Sequence, residues 1–184
     1  MTKTTDELLV KQFNQGDKYA FDRIVEQYSA DIAVLANRLL GWPGDVEDIV
    51  QDIFLAAFIG LKNFRCDCNI RTWLFTITIN KCRSYRYKRM LRLKAFSQAA
   101  DRIPPAQAHA ADKMPMDIET FERIRRAIKA LPAKSREPVV LRYLQELSND
   151  QICRILGISK NVLQVRLNRA RKRLQKQLFQ LLEQ

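Results

Sequence analysis

Apolar residues recur three or four positions apart along most of this chain, which is the spacing of amphipathic helices. Between residues 17 and 40 the pattern runs through Phe21, Ile24, Val25, Tyr28, Ile32, Leu35 and Leu39. The segment GWPG at 41–44 interrupts it, and the run DVEDIVQDIFLAAFIGL that follows predicts another helix with Asp45 as its N-cap. Its first turn carries Glu47 and Asp48, where acidic side chains stabilise the positive end of the helix dipole.

Residues 70–92 give conflicting signals. Trp73, Phe75, Ile77 and Ile79 occupy alternate positions with threonines between them, a pattern typical of a β-strand. A lone strand cannot satisfy its backbone hydrogen bonds, however, and no turn-bounded segment of this chain offers it a partner. We therefore predict a helix over 70–92.

The second half of the chain predicts four helices. The first, IETFERIRRAIKAL, ends before Pro132, and the second, SREPVVLRYLQEL, has Ser135 as its expected N-cap. Ser148 and Gln151 form a predicted capping box for a short helix that ends near Leu156. Gly157 then makes a turn and Ser159 caps a last, strongly basic helix. A helix, a short turn with glycine and another helix form the helix-turn-helix arrangement.

Residues 96–117 lose the apolar periodicity and contain three of the six prolines, so they are predicted to be a flexible linker. The chain is thus predicted to be all-α, with two small helical domains at 1–95 and 118–184. No apolar run is long enough to span a membrane and the N-terminus does not resemble a signal peptide, so we expect no membrane insertion and a cytoplasmic protein with reduced cysteines.

The net charge is +12, which points to a polyanionic partner, nucleic acid before membrane. The excess is concentrated in residues 81–94 and 160–176, each with seven Lys or Arg and no acidic residue. In a helix-turn-helix the N-terminal part of the second helix contacts base edges in the major groove. The residues expected there are Lys160, Asn161, Gln164, Asn168 and Arg169. A solvated basic helix on a helical bundle is the alternative.

The N-terminal basic segment also contains aromatic rings. Phe64, Trp73, Phe75, Tyr85 and Tyr87 lie among Arg65, Arg71, Lys81, Arg83 and Arg86. This mixture suits single-stranded nucleic acid, because bases stack on rings while cations follow the backbone; the alternative is that the rings belong to the core. Glu47, Asp48, Gln51 and Asp52 instead form an acidic patch, which favours a basic protein partner.

Several segments, in this order, resemble bacterial sigma factors of the extracytoplasmic-function group. They are GDKYAFDRIVEQY, GDVEDIVQDIFLAAFIGLKNFR, IRTWLFTITINKCRSYRY and IKALPAKSREPVVLRYLQELSNDQICRILGISKNVLQVRLNRARKRL. The resemblance implies a region-two helical bundle and a region-four helix-turn-helix. It also implies a protein that binds core RNA polymerase and directs promoter-specific transcription initiation, commonly under the control of an anti-sigma factor.

The resemblance assigns roles to individual residues. Asp48, Gln51, Asp52 and Ile53 would dock on the clamp helices of the polymerase β′ subunit. The 62–70 loop and the next helix would recognise and melt the minus-ten element through Phe64, Arg65, Trp73, Asn80, Lys81 and Arg83. The last helix would contact the minus-thirty-five element through the five residues named above.

Two segments depart from the pattern. Family members usually have FRGDSSLRTWL at the loop, whereas this chain has Cys66 and Cys68 in place of small residues. The usual GTVKSRLHRAR is NVLQVRLNRAR here, with Gln164 replacing a basic residue and Val165 replacing serine. We therefore expect one phosphate contact to be lost, so the promoter preference of family members cannot be assigned to this chain.

Other functions are disfavoured. An enzyme is not expected, because the only histidine, His109, lies in the predicted linker. The sequence also offers no Ser/His/Asp or Cys/His arrangement and no phosphate-binding glycine loop. The spacing of Cys66, Cys68, Cys82 and Cys153 does not fit zinc, and no cofactor is expected. A thiol switch at Cys66 and Cys68 is a further hypothesis, since flanking arginines would lower a thiol pKa. The main alternative is a transcriptional regulator that binds duplex DNA through a helix-turn-helix without joining polymerase.

Overall fold

The computed structural model describes residues 3–40, 46–99 and 116–182, and regular structure within these ranges is helical throughout. The all-α prediction is therefore confirmed. The expected cap Asp45 and most of the predicted linker lie outside the described residues. The N-terminal half contains α1 (Lys3–Asn14), α2 (Tyr19–Leu40), α3 (Val46–Leu61) and α4 (Ile70–Ala99). The C-terminal half contains α5 (Met116–Ala130), α6 (Ala133–Val139), a π-helical turn (Val140–Leu144), α7 (Asn149–Leu156) and α8 (Lys160–Leu182).

The N-terminal half is a bundle in which α4 packs against both α2 and α3. Its centre consists of fully buried aliphatic and aromatic side chains, including Ile24, Leu35, Ile53, Leu74 and Phe75. At one end, four phenylalanine rings from α1, α2 and α3 meet largely edge to face, the geometry that aromatic pairs favour. The helix predicted over 70–92 is confirmed as the start of the 30-residue α4.

The C-terminal half confirms most of the predicted helices, but one predicted cap is wrong. Pro132, rather than Ser135, is the N-cap of α6, because its ring fixes a backbone angle that suits a helix entrance. Pro138 lies inside α6, and the backbone widens into a π-helical turn directly after it. Pro138 has no amide hydrogen, so it cannot donate to the carbonyl oxygen one helical turn earlier.

The two halves pack against each other. Buried side chains from α1–α4 and from the C-terminal helices belong to one hydrophobic cluster, which extends from Leu9 to Ala170. Arginines also reach across to carbonyl oxygens of the other half, from Arg38 to Leu144 and from Arg136 to Leu39. None of the described helices combines the length and apolar character that crossing a bilayer requires.

Candidate nucleic-acid interface

The first candidate surface lies on α3 and was predicted to bind a basic protein. Asp48, Gln51 and Asp52 are exposed on this helix, as that role requires. Ile53 is fully buried in the core, so its assignment to a surface contact is wrong for this structure. Its side chain is turned by about 100° around the helix axis from that of Asp52, which takes it from the exposed face into the core.

The structure adds two apolar residues to this surface. Leu55 is 58% exposed and Ile59 is 66% exposed, and they follow Asp48 and Asp52 at helical spacing along one face. We call Asp48, Gln51, Asp52, Leu55 and Ile59 the α3 surface. Sequence reasoning missed its apolar end, because an exposed leucine and a buried one look alike in an apolar run such as IFLAAFI.

The second candidate surface begins with two stacked rings. Phe64, in the loop that joins α3 to α4, stacks on Trp73 with ring centroids 4.8 Å apart and planes 30° apart. Gly60 of α3 makes room for the indole, because a Cβ atom there would lie 3.3 Å from Trp73 Cζ2. Sequence analysis placed both rings together but did not single out Gly60, whose role depends on this close approach.

The loop at 62–69 has a left-handed residue in its middle and side-chain caps at its end. In the middle, Cys66 has φ of 55°, a left-handed conformation that favours glycine, the residue found there in the family pattern. At its end, Asn69 Oδ1 accepts a hydrogen bond from the Thr72 amide at 2.8 Å, and Asp6 Oδ2 accepts one from the Ile70 amide at 2.9 Å. These two side chains satisfy amide groups at the N-terminus of α4.

Asn80 and Lys81 line a groove of about 430 Å³ between α3 and α4. Asn80 lies seven residues, or two helical turns, after Trp73, so the stacked rings and this groove share one face of α4. Ser84 and Lys88 continue the lining, and Asp52 and Ile49 form the opposite wall. Arg65 follows Phe64 in the loop and is exposed. Five of the six residues predicted for the minus-ten element therefore lie along a connected surface.

Arg83, the sixth, does not belong to that surface. It turns toward the C-terminal half, where Arg83 Nη2 lies 2.6 Å from Glu137 Oε2. Its neighbour on the next helical turn, Arg86, lies 2.6 Å from the other oxygen of the same carboxylate. The sequence offered no signal for this pairing, because 54 residues separate Arg83 from Glu137.

The third candidate surface is the helix-turn-helix. The capping box between Ser148 and Gln151 is complete, with both reciprocal hydrogen bonds present. Gly157 ends α7 in the left-handed conformation, with φ of 65° and ψ of 42°. Ser159 Oγ accepts a hydrogen bond from the Val162 amide at the start of α8. All four predicted cap and turn residues are confirmed.

The residues of α8 divide between two faces. Leu163, Leu167 and Ala170 are buried against the other helices of this half. All five residues predicted to contact DNA are exposed: Lys160, Asn161, Gln164, Asn168 and Arg169. A hydrogen bond and the negative charge of Asp150, whose Oδ1 lies 2.7 Å from Lys160 Nζ, raise the pKa of that lysine. The lysine is therefore cationic at neutral pH.

Cys68 does not match the hypothesis of an activated thiol. Burial raises the pKa of Cys68, and the opposing charge and hydrogen bond of Arg154 do not reverse this. Burial also raises the pKa of Cys82 to about 12. The prediction that neighbouring arginines lower a thiol pKa is therefore wrong for Cys68. In the part of the chain that the structure describes, no group of three or more His, Cys, Asp or Glu could hold a metal ion.

Two family descriptions match this chain. Residues 24–91 match sigma-70 region 2, and residues 121–174 match sigma-70 region 4. The first match contains the stacked rings and the groove on α4, and the second contains the helix-turn-helix.

Similar proteins share most of their length with this chain. It is 33% identical to the ECF RNA polymerase sigma factor SigW of Bacillus subtilis (strain 168), over 92% of this chain and 94% of that protein. It is 31% identical to the RNA polymerase sigma factor NccH of Alcaligenes xylosoxydans xylosoxydans, over 93% of each. The ECF RNA polymerase sigma-E factor of Escherichia coli (strain K12) is 31% identical over 91% of each chain.

Solved structures share the fold. CnrH, determined in complex with the cytosolic domain of CnrY, has a TM-score of 0.68 and 29% identity, covering 95% of this chain and 97% of that one. The sigma factor RpoE from Bartonella quintana, determined in complex with the anti-sigma factor NepR, has a TM-score of 0.69 and 26% identity. That match covers 86% of this chain and 96% of that one.

Proposed function

Because this chain belongs to the ECF group of the sigma-70 family, we propose that it joins core RNA polymerase and directs promoter-specific transcription initiation. The observation that carries the proposal is the combination of three exposed surfaces in one chain. A helix-turn-helix regulator binds duplex DNA through a surface such as the polar face of α8. That activity does not require the α3 surface or the stacked rings and groove on α4. We propose that the protein has no catalytic activity of its own and that it acts in the cytoplasm.

Each surface has one proposed partner. The α3 surface binds the clamp helices of the polymerase β′ subunit, with acidic side chains at one end and Leu55 and Ile59 at the other. Ile53 supports this surface from the core. A charged rim beside apolar contacts is the usual composition of a protein interface.

The rings and groove on α4 bind the separated minus-ten strand, because bases stack on aromatic rings at roughly 1–3 kcal/mol each. Phe64 and Trp73 supply the rings, and Arg65, Asn80 and Lys81 supply polar contacts. The exposed face of α8 contacts the minus-thirty-five element in duplex DNA, where a good bidentate contact contributes about 1–3 kcal/mol of base discrimination. Residues 1–95 form region two, 118–184 form region four, and 96–117 connect them.

Regulation by an anti-sigma factor is part of the proposal. RpoE and CnrH, which share this fold, were determined with the anti-sigma factor NepR and with the cytosolic domain of CnrY. We propose that a partner of the same kind holds this chain inactive.

A reconstitution experiment tests the function. Core polymerase free of sigma factor is mixed with the protein and fragmented genomic DNA from the source organism, and the 5′ ends of the transcripts are sequenced. We expect discrete start sites that share upstream sequence elements. Duplex binding without such transcripts would favour the regulator.

A substitution pair tests the α3 surface. Asp52→Lys reverses a charge on this surface, so we expect weaker association with core polymerase at unchanged thermal stability. Glu7→Lys makes the same charge change at an exposed position of α1, which packs on α2, and should leave association unchanged. Equal association of the two variants would remove Asp52 from the interface.

A further inference from the structure

Glu137 is a buried carboxylate at the contact between the two halves. Its side chain is 3% exposed, and it lies on α6 opposite the basic face of α4. Arg83 donates to it through Nε and Nη2, and Arg86 donates through Nη2 at 2.6 Å. An ionised buried carboxylate is stable only where such donors replace its lost hydration. The pairing therefore ties the docking of the halves to these two arginines.

The two arginines offer more donors than Glu137 can accept. Arg86 Nη1 is buried and has no hydrogen-bond partner. Burial and the charge of Arg86 also lower the pKa of Arg136, which lies on the same helix as Glu137. One carboxylate thus faces a surplus of positive charge. A phosphate matches the arginine fork as a carboxylate does and carries additional acceptor oxygens.

Other contacts hold the predicted base-binding loop against the helix-turn-helix. Arg154 of α7 donates from Nη1 to the carbonyl oxygen of Asp67 at 3.1 Å. Arg71 of α4 donates to Gln145 Oε1 at 3.3 Å and to Asp31 Oδ2 at 2.8 Å. The loop at 62–69 and α7 are therefore immediate neighbours in this structure.

This arrangement cannot span a promoter. The minus-ten and minus-thirty-five elements lie about 25 base pairs apart, or roughly 85 Å of B-form DNA at about 3.4 Å per pair. In this structure the loop proposed for the first element touches the helix-turn-helix proposed for the second. Binding both elements at once therefore requires the halves to separate, which breaks the contacts of Glu137.

We propose that Glu137 competes with DNA inside the chain by occupying a phosphate-binding site formed by Arg83 and Arg86. The closed arrangement is thereby a self-inhibited state, and release of Glu137 frees both arginines for the DNA backbone. This regulation rests on the proposed function. It also gives Arg83 a part in DNA binding although it lies off the surface formed by Trp73, Asn80 and Lys81.

The full-length protein and its Glu137→Gln variant test the proposal by two measurements. Small-angle scattering gives the radius of gyration, which is about 16 Å for a compact chain of this length. Binding of a fluorescein-labelled oligothymidine of about 12 nucleotides, measured across salt concentrations, counts phosphate contacts at about 0.7 units of slope each. We expect Glu137→Gln to have a larger radius, tighter binding and a salt slope steeper by about 1.4.

Two further variants separate the competing explanations. Glu122→Gln removes the same charge from α5, where the half-exposed Glu122 pairs with Arg125 three residues along the helix, and should match wild type in both measurements. Arg86→Gln changes the other half, so it leaves the packing of α6 within its own half intact. We expect Arg86→Gln to separate the two halves and to gain only the phosphate contact of Arg83. Its salt slope should therefore be steeper than that of wild type by about 0.7.

The following outcomes would overturn the proposal. One is a Glu137→Gln protein that is folded by circular dichroism yet as compact as wild type. Another is an opened chain whose oligonucleotide affinity does not rise, and a third is an equal gain from Glu122→Gln. If Glu137→Gln does not fold, an unchanged radius of gyration for Arg86→Gln would by itself overturn the proposal. Failure of the proposed function would appear separately, as absence of promoter-specific transcripts from core polymerase with either protein.

Discussion

At the scale of single residues, Asp6 joins three helices through one buried carboxylate. It lies on α1, accepts a hydrogen bond from the Tyr28 hydroxyl of α2 at 3.2 Å, and accepts another from the Ile70 amide of α4. The residue is only 6% exposed. Because Ile70 follows the loop that carries Phe64, Asp6 also holds the end of the proposed base-binding loop. In the sequence it resembles an ordinary acidic residue in a first helical turn.

The environment of Tyr28 predicts alkaline sensitivity. Burial first, and then the charge of Asp6 and the hydrogen bond to it, raise the pKa of Tyr28 from 10.0 to about 12. Between these pH values the unfolded chain loses this proton while the folded chain keeps it. The contribution of protonated Tyr28 to the free energy of unfolding is therefore fully present below pH 10. It is lost as pH rises toward 12, at up to about 1.4 kcal/mol per pH unit.

Urea titrations at a series of pH values check this prediction. Tyr28→Phe lowers the free energy of unfolding below pH 10 by roughly 1 kcal/mol, because a hydrogen bond is lost. The variant also lacks the dependence of this free energy on pH that Tyr28 contributes. We expect the difference in unfolding free energy between wild type and variant to shrink above pH 10. Parallel pH profiles would contradict the assignment.

The thiols give a second prediction at this scale. Because the thiolate is the reactive form, a raised pKa slows reaction at neutral pH. With an aromatic disulfide reagent near pH 8, we expect Cys82 to react only after unfolding. Cys68 should react more slowly than in the denatured chain. Single-cysteine variants identify each phase, and fast native reaction of Cys68 would restore the hypothesis of a thiol switch.

At the scale of elements, α4 explains why an alternating pattern folded as a helix. Thr72 and Thr78 are buried, at 3% and 0% exposure, so they are not the solvent-facing positions of a strand. The hydroxyls of Thr76 and Thr78 donate to the carbonyl oxygens of Thr72 and Leu74, one helical turn earlier. Threonine satisfied in this way can face a helical core. An alternating pattern therefore does not predict a strand where apolar and hydroxyl residues are buried together.

Local signals and long-range contacts differed in how well they could be predicted. The boundaries of α7 were predictable because Ser148, Gln151 and Gly157 act within a few residues of themselves. The exposed polar face of α8, which we propose contacts DNA, followed from helical periodicity alone. Glu137 and the orientation of Arg83 were not predictable, because their environment is created by packing between distant segments. Ile53 was misassigned because the resemblance fixes a helix but not which of its faces is buried.

The turn between α7 and α8 gives a prediction for this element. A Cβ atom at Gly157 meets nothing within 4 Å, so Gly157→Ala tests the left-handed backbone without a steric clash. We expect a loss of about 1 kcal/mol in unfolding free energy, because left-handed geometry is costly for alanine. Gly157→Asn should lose less, since asparagine tolerates this conformation. Chemical denaturation measures both, and equal stability of all three proteins would contradict the argument.

At the scale of the whole molecule, the shared hydrophobic cluster links the stability of the two halves. Domains that bury surface against each other unfold together when that contact is strong. We expect one calorimetric transition for the wild-type protein, with equal calorimetric and van't Hoff enthalpies. Arg86→Gln weakens the ion pairs between the halves and should split or broaden this transition, whereas Glu122→Gln should not. Two resolved transitions in the wild-type protein would show that the halves fold independently.

The arginine contacts to main-chain carbonyls have a consequence for how this protein can change by mutation. Arg38, Arg136 and Arg154 bind the carbonyl oxygens of Leu144, Leu39 and Asp67, and every amino acid supplies such an oxygen. Substitutions at those acceptor positions therefore keep the bonds. Glu137, in contrast, is engaged through its side chain, so a single codon there can alter the balance between the closed and open forms. A substitution at position 137 could therefore change how readily the chain opens while both proposed DNA-binding surfaces stay unchanged.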